Sequence, residues 1–130
     1  MPVKYIDAQA VLVIHAKIID KTGGSHGVRD IGLVESAVAA PRQSFGGKKL
    51  YESVFAKAGV LFKKLAGHHP FVDGNKRTAF VSTARFLHRN GCKITAANNN
   101  VIDFTVRVVE DELEVEEIAE WLNKNVKRKN

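Results

Sequence analysis

The stretch HPFVDGNKR, at residues 69–77, lies between two helical patterns and combines five chemically different groups in nine positions. It contains an imidazole, a carboxylate, an amide, an ammonium and a guanidinium. Apolar periodicity resumes directly after it, from residue 78 to residue 87. The pattern therefore predicts that Asn75, Lys76 and Arg77 lie in the first turn of a helix.

The groups in this stretch are of the kinds that bind a nucleotide. A helix N-terminus presents free backbone N–H groups and a partial positive charge, which suits phosphate. Lys76 and Arg77 add two cations there, and Arg77 can hold phosphate oxygens with two parallel donors. Asp73 is an oxygen ligand of the kind Mg²⁺ takes when phosphates fill other positions. Since His69 can accept a proton near neutral pH, the stretch predicts group transfer from a magnesium-bound nucleotide to a hydroxyl.

Each of these residues also has an ordinary explanation. A single histidine is most often structural or solvated, Asp73-Gly74 is a common turn dipeptide, and Asn75 is a common helix N-cap. Lys76 and Arg77 could be solvated charges, although the helix dipole disfavours cations at that end. These explanations account for the residues one by one, but not for their convergence in one loop.

The stretch resembles the signature of the Fic/Doc family, in which His-x-Phe-x-Asp/Glu-Gly/Ala-Asn is followed by Gly or Lys and then Arg. Every fixed position from His69 to Arg77 matches. The form of the signature with Lys, here Lys76, resembles the Doc (death-on-curing) branch, whose members are toxins of toxin–antitoxin systems. The adenylylating Fic branch has Gly at that position, and a second Arg where this chain has Phe80. The similarity extends to Thr22-Gly23-Gly24, residues 27–30 and residues 33–41, and covers most of residues 5–123.

The resemblance implies roles for the residues of the stretch. His69 would take the proton from the attacking hydroxyl, and Asp73 would hold Mg²⁺ on the phosphates of ATP. Those phosphates would be cradled by the Gly74 backbone, Asn75 and Arg77.

Lys76 would decide the type of reaction. In the Doc branch a Lys at this position goes with a reversed nucleotide, so that the γ-phosphate rather than AMP is transferred. The protein substrate of that branch is elongation factor Tu, which is modified on a threonine, and the modification inhibits translation. Residues 42–50 lie where such proteins carry a flap that docks the target as an added strand.

A toxic enzyme needs an inhibitor. Some Fic proteins restrain themselves with a Ser/Thr-x-x-x-Glu helix, but no Ser or Thr here has Glu four positions later. The resemblance therefore implies an antitoxin on a separate chain, with DNA contacted only indirectly through that antitoxin.

Two other functions stay open on the sequence. An adenylyltransferase would share the fold and transfer AMP, although Lys76 and Phe80 depart from its pattern. A non-catalytic regulator could bind antitoxin or DNA through a basic surface, although such a protein would not need His69 and Asp73 together.

Composition predicts one domain spanning residues 1–130. The chain has 45% hydrophobic and 26% charged residues, which is typical of a globular protein. Its single cysteine, Cys92, cannot form an internal disulfide, and this fits a cytoplasmic location. No apolar run approaches the roughly 20 residues that span a bilayer, and no signal-peptide pattern opens the sequence, so we expect no membrane association.

The net charge of +6 is unevenly distributed. Residues 1–109 hold 16 Lys/Arg against 7 Asp/Glu, and residues 110–120 hold seven acids and no base. The last segment, 124–130, carries four cations. The acidic stretch predicts a solvated helix face, and we interpret the basic segment as a frayed, solvated tail rather than a nucleic-acid-binding arm.

The apolar pattern predicts an all-α bundle of about six helices, with the active-site loop between two central ones. The predicted helices cover residues 7–21, 30–40, 51–66, 75–90, 99–109 and 115–124. Residues 41–50 are predicted to be a connector and residues 93–95 a short extended segment. Gly23-Gly24 is expected to end the first helix and turn the chain. His15, His26 and His88 are expected to be structural or solvated.

Overall fold

The computed structural model describes residues 2–129, which form six α-helices and two small antiparallel sheets. The helices are α1 (Ala8–Thr22), α2 (Ile31–Ala39), α3 (Val54–Gly67), α4 (Asn75–Arg89), α5 (Asn98–Glu110) and α6 (Val115–Lys124). The strands are β1 (Ser44–Phe45), β2 (Lys48–Lys49), β3 (Cys92–Ile94) and β4 (Val126–Arg128). The predicted helical bundle is confirmed.

Polar caps fix where the helices begin. The Asp7 carboxylate accepts the Ala10 N–H, and the Asp30 carboxylate accepts the Gly32 N–H. Ser53 caps α3, so this helix begins at Val54 rather than at residue 51 as the apolar pattern predicted. Helix α2 ends at Ala39 and continues as a single 3₁₀ turn over Ala40–Arg42.

Helix α3 is the centre of the core. It packs against α2, α4, α5 and α6, and Phe62 on it is fully buried. The Phe62 ring meets the Phe104 ring edge-to-face, with their centroids 5.8 Å apart. Gly59 lets α6 approach closely, because a Cβ there would lie 3.0 Å from the Val115 carbonyl oxygen. No helix in residues 2–129 has both the length and the apolarity needed to cross a membrane.

The predicted connector, residues 41–50, contains a hairpin. Strands β1 and β2 pair antiparallel, with Ser44 opposite Lys49 and Phe45 opposite Lys48. Gly46 and Gly47 both have positive φ, 58° and 81°, which is the backbone of a two-residue hairpin turn. The apolar pattern did not predict this hairpin, because both of its strands are solvent-exposed and only two residues long.

The prediction that residues 124–130 form a frayed tail is wrong for the residues that the structure describes. Lys124 ends α6, and β4 pairs with β3, so that Val126 lies opposite Ile94. The Lys129 N–H also donates to the Gly91 carbonyl at 2.8 Å. Two features of the segment hid this pairing from the sequence pattern. Its basic composition is typical of a solvated end, and its strand partner, residues 92–94, is distant in the chain.

Candidate active site

The loop between α3 and α4 is fixed through its backbone by residues 27–30. The Arg29 and Asp30 N–H groups both donate to the Pro70 carbonyl, at 2.7 and 3.0 Å. Val28 forms an isolated bridge with Phe71, and the Val72 N–H donates to the Gly27 carbonyl. The loop therefore behaves as part of the fold rather than as a free connection.

His69 has an unusual backbone conformation. Its φ is +52°, in the left-handed region that a non-glycine residue rarely adopts. The Arg29 guanidinium holds this conformation, because its Nε donates to the His69 carbonyl at 2.7 Å and its Nη2 donates to the His68 carbonyl at 2.9 Å. The His69 side chain is exposed, and no hydrogen bond to its ring is found within residues 2–129. Its ring nitrogens are thus free to meet a substrate.

The neighbouring His68 differs from His69. Burial lowers the pKa of the His68 imidazole, and the Lys64 and His69 charges lower that pKa further. Protonation of His68 is therefore disfavoured in the folded protein.

Beneath the loop lies a stacked aromatic pair. The His15 and Phe71 rings are both buried and parallel, with their centroids 3.8 Å apart. His15 Nε2 lies 2.8 Å from the Asp73 carbonyl oxygen, so Nε2 carries the proton and donates it. His15 is thus a structural histidine that holds the loop from the α1 side.

The Asp73 carboxylate is exposed but anchored. Its Oδ1 accepts the Gly74 N–H at 2.8 Å, and its Oδ2 accepts the Ser25 N–H at 3.2 Å. Gly24, with φ +111°, permits this approach, because a Cβ there would lie 2.6 Å from Asp73 Oδ2. Gly24 therefore does more than turn the chain after α1, since it also leaves room for the carboxylate.

Asn75 has a different local role from the N-cap considered on sequence. The N-cap of α4 is Gly74, in the left-handed conformation with φ +77°. Asn75 Oδ1 accepts the Phe71 N–H at 2.9 Å, and Asn75 Nδ2 donates to the Phe71 carbonyl at 3.0 Å. The amide thus clasps the loop backbone and keeps one N–H for a ligand.

Lys76 and Arg77 are exposed at the start of α4. They form one wall of a largely apolar cleft of about 320 Å³ between α4 and α5. Phe80, Val81 and Ile102 line the rest of it. The Arg77 guanidinium also donates to the Thr22 hydroxyl at the end of α1. The two cations thus lie between the anchored loop and an apolar cavity, an arrangement that suits a ligand with one anionic and one apolar part.

The residues at this site fit Mg²⁺ that arrives with a nucleotide. Among residues 2–129 no group of three His, Cys, Asp or Glu side chains could hold a metal. Asp73 would supply one hard oxygen ligand, and Mg²⁺ is usually bound by one or two carboxylates together with phosphates and water.

Comparisons with known proteins give matches over most of the chain. The sequence profile of the Fic/DOC family matches residues 5–87. The chain is 39% identical over 108 residues to Toxin Doc of Mycolicibacterium smegmatis, covering 83% of this chain and 76% of that protein. It is 27% identical over 121 residues to Protein kinase doc of Escherichia phage P1, covering 93% and 94%.

The chain belongs to the Fic/DOC family. In this Fic/DOC protein the signature residues His69 to Arg77 all lie in the α3–α4 loop and the first turn of α4, as the sequence predicted. Sequence reasoning missed the partners that hold them, which are His15, Thr22, Ser25 and Arg29. Residue 29 lay inside the region of family resemblance, but nothing in its local pattern indicated a contact 40 residues away.

Proposed function

We propose that this Fic/DOC protein is the toxin of a toxin–antitoxin pair, and that it transfers the γ-phosphate of ATP to a threonine of elongation factor Tu. The observation that carries the proposal is the group at the start of α4. There an exposed, conformationally held His69 and an anchored Asp73 carboxylate share one short loop, directly before the cations Lys76 and Arg77 in the first turn of α4. The names of the two relatives, a toxin and a protein kinase, support it.

The chain's own residues supply base, charge and position. A His69 ring nitrogen accepts the threonine proton while the threonine oxygen forms a bond to the γ-phosphorus. The bond from that phosphorus to the β–γ bridging oxygen breaks, and ADP leaves. Lys76, Arg77 and the free Asn75 N–H neutralise charge on the phosphate oxygens. Positioning and charge neutralisation provide most of the catalysis in phosphoryl transfer.

Asp73 is the proposed ligand of Mg²⁺. The ion would neutralise phosphate charge and help align the phosphates with the attacking oxygen. The Ser25 and Gly74 N–H groups hold the carboxylate in one orientation and leave lone pairs on both oxygens.

Lys76 is the residue that favours γ-phosphate transfer over AMP transfer. Its side chain occupies space and adds charge at the helix start, where Gly would let a phosphate approach the backbone. Phe80, which lines the apolar cleft, stands where an adenylylating relative would have a second Arg. Because Phe80 is uncharged, it cannot bind a phosphate group as that second Arg would.

The proposed partners follow from the same function. A separate antitoxin chain would restrain the toxin, and sequence-specific contact with operator DNA in regulation would run through that antitoxin. The exposed β1–β2 hairpin, whose Phe45 is 81% exposed, is the proposed docking edge for the target segment. We place the protein's action in the cytoplasm, where elongation factor Tu works.

The test uses purified protein, Mg²⁺ and elongation factor Tu with ATP labelled at either the α- or the γ-phosphate. We expect label from the γ-position alone, and a mass increase of one phosphate on a threonine. The matched variant Lys76→Gly should lose that transfer, since the space and charge that orient the nucleotide are gone. An AMP adduct from the wild-type protein would overturn the kinase proposal and favour an adenylyltransferase.

A further inference from the structure

The end of α4 opposite the active site carries a concentrated positive charge. We call this region the basic surface and define it by Lys4, Arg89, Lys93, Lys127, Arg128 and Lys129. Lys93 and Lys127 lie opposite each other in the β3–β4 pair, and because side chains alternate along a strand, Lys129 lies on the same face as Lys127 while Arg128 points to the other face. On that other side Arg128 lines a cleft of about 410 Å³ together with Lys4 and Arg89. Lys129 continues β4 and contacts the His88 ring.

These charges lack acidic partners within the described part of the chain. The Lys/Arg ion pairs found there are Lys63–Glu114, Arg107–Asp111 and Lys124–Glu120, and none involves the basic surface. Like charges directly opposite each other in an antiparallel pair are destabilising. The register that joins Lys93 to Lys127 therefore maintains a repulsion that a bound anion would relieve.

The basic surface is also held in place rather than carried on a mobile tail. Asn90, which directly follows α4, binds the segment before α1: its Oδ1 accepts the Lys4 N–H and its Nδ2 donates to the Lys4 carbonyl, both at 2.9 Å. The β3–β4 pairing fixes the strand cations. A binding partner thus has less backbone freedom to remove than it would with a disordered basic arm.

We propose that the basic surface binds the phosphate backbone of a nucleic acid, chiefly through the face that carries Lys93, Lys127 and Lys129. Residues two apart on a strand, such as Lys127 and Lys129, lie on one face about 7 Å apart, which is comparable with the separation of successive phosphates along a strand. Electrostatic contacts to phosphates are enough for sequence-independent binding. This site is separate from the nucleotide site at the start of α4, and its binding requires no catalytic activity.

The absence of apolar anchors favours nucleic acid over two other anionic partners. The exposed large hydrophobic residues of the described chain all lie elsewhere: Val13, Val28, Ile31, Phe45, Leu50, Val72, Val81 and Ile102. A membrane-binding surface normally combines its cations with inserted apolar residues. An acidic protein would normally bury an aromatic or aliphatic anchor.

The experiment measures the fluorescence anisotropy of labelled duplex DNA, single-stranded DNA and duplex RNA when the full chain is added. The salt concentration is varied between about 50 and 200 mM, because phosphate contacts weaken strongly over that range. The test variant combines Lys93→Gln, Lys127→Gln and Lys129→Gln. The control removes equal charge elsewhere with Lys17→Gln, Lys48→Gln and Lys64→Gln. We expect the test variant to bind at least about tenfold more weakly at low salt, and its log–log salt slope to shrink by about 2–3.

Binding of any of the three nucleic acids in this pattern supports the proposal and identifies which kind is preferred. Equal loss in the two variants, no binding by the wild type at low salt, or tighter binding to anionic phosphatidylserine vesicles or to a poly-glutamate peptide would overturn it. Hydrogen exchange of the wild-type protein gives a test without substitutions. A bound oligonucleotide should slow exchange at the β3 and β4 amides, and unchanged exchange there would count against the surface.

Discussion

The two ends of α4 use polar contacts in the same way but for different purposes. At its start Asn75 clasps the backbone of Phe71, and at its end Asn90 clasps the backbone of Lys4. In both places the amide binds backbone and leaves nearby cations exposed. The start adds His69 in a left-handed conformation and an anchored Asp73, whereas the end adds only positive charge. The difference matches the two proposals above, which assign chemistry to the start of the helix and electrostatic binding to its end.

The largest effect should come from His69→Ala. Loss of a general base typically costs about 10²–10⁴-fold in rate. Because His69 is exposed and its ring makes no hydrogen bond within residues 2–129, we expect the midpoint temperature of thermal unfolding to change little. Labelled-ATP transfer and calorimetry measure the two quantities. Near-wild-type transfer would remove the base assignment, and a large drop in midpoint would show that the residue is structural instead.

Asp73→Asn should have the next largest effect. Asn keeps an oxygen for one of the two N–H donors but loses the charge that is proposed to bind Mg²⁺, so we expect about 10²–10³-fold slower transfer. The response to Mg²⁺ concentration should weaken more than thermal stability does. Titration of transfer activity with Mg²⁺ checks this expectation, and an unchanged metal dependence would contradict it.

Arg29→Gln tests whether the loop backbone must be held. The variant loses most of the contacts to the His68 and His69 carbonyls, and a small displacement of the base can cost on the order of 10–100-fold in rate. We expect kcat to fall while KM for ATP stays nearly constant, because Arg29 is a positioning residue that contacts the loop. Arg29→Lys should recover part of the rate. Equal losses from Lys and Gln variants, or a change confined to KM, would point to a different role.

The two asparagines provide a matched pair across the helix. Asn75→Ala leaves the part-buried Phe71 N–H and carbonyl without these partners, at a cost of about 1–3 kcal/mol in unfolding free energy. Asn90→Ala removes bonds to the part-buried Phe86 carbonyl and to the exposed Lys4 backbone, which water can reach, so we expect a smaller cost. Only Asn75→Ala should also slow transfer, since only that residue shapes the catalytic loop. Chemical denaturation and the transfer assay, run on both variants, test the comparison. A comparable loss of activity in Asn90→Ala would mean that the two ends of α4 are coupled.

The smallest expected effect is on the pH dependence of stability. Burial and the Lys64 charge lower the pKa of His68 in the folded state, so below pH 6.5 the unfolded chain binds a proton more readily than the folded one. His68 therefore reduces stability as pH falls through that value toward its folded pKa. We expect His68→Gln to lose less stability than the wild type between pH 7 and pH 5. An identical pH profile for both proteins would contradict this.

Local sequence patterns were enough to predict the six helices, the position of the loop between α3 and α4, and the family. Two of these signals are local, namely the apolar period of 3.6 residues and the capping residues Asp7 and Asp30. Local signals can be recognised in the sequence without knowledge of the fold. The signature from His69 to Arg77 is likewise contiguous, and its chemistry can be interpreted from nine neighbouring residues.

The residues that hold that signature in position could not be predicted in this way, because they are distant from it in sequence. Arg29 reaches His69 across 40 positions, His15 reaches Asp73 across 58, and Arg77 reaches Thr22 across 55. The same holds for β4, because its strand partner is distant in sequence and its basic composition is typical of a solvated end. Local propensity carries no information about such contacts, since they form only when the packing of α1, α3 and α4 brings separate segments together.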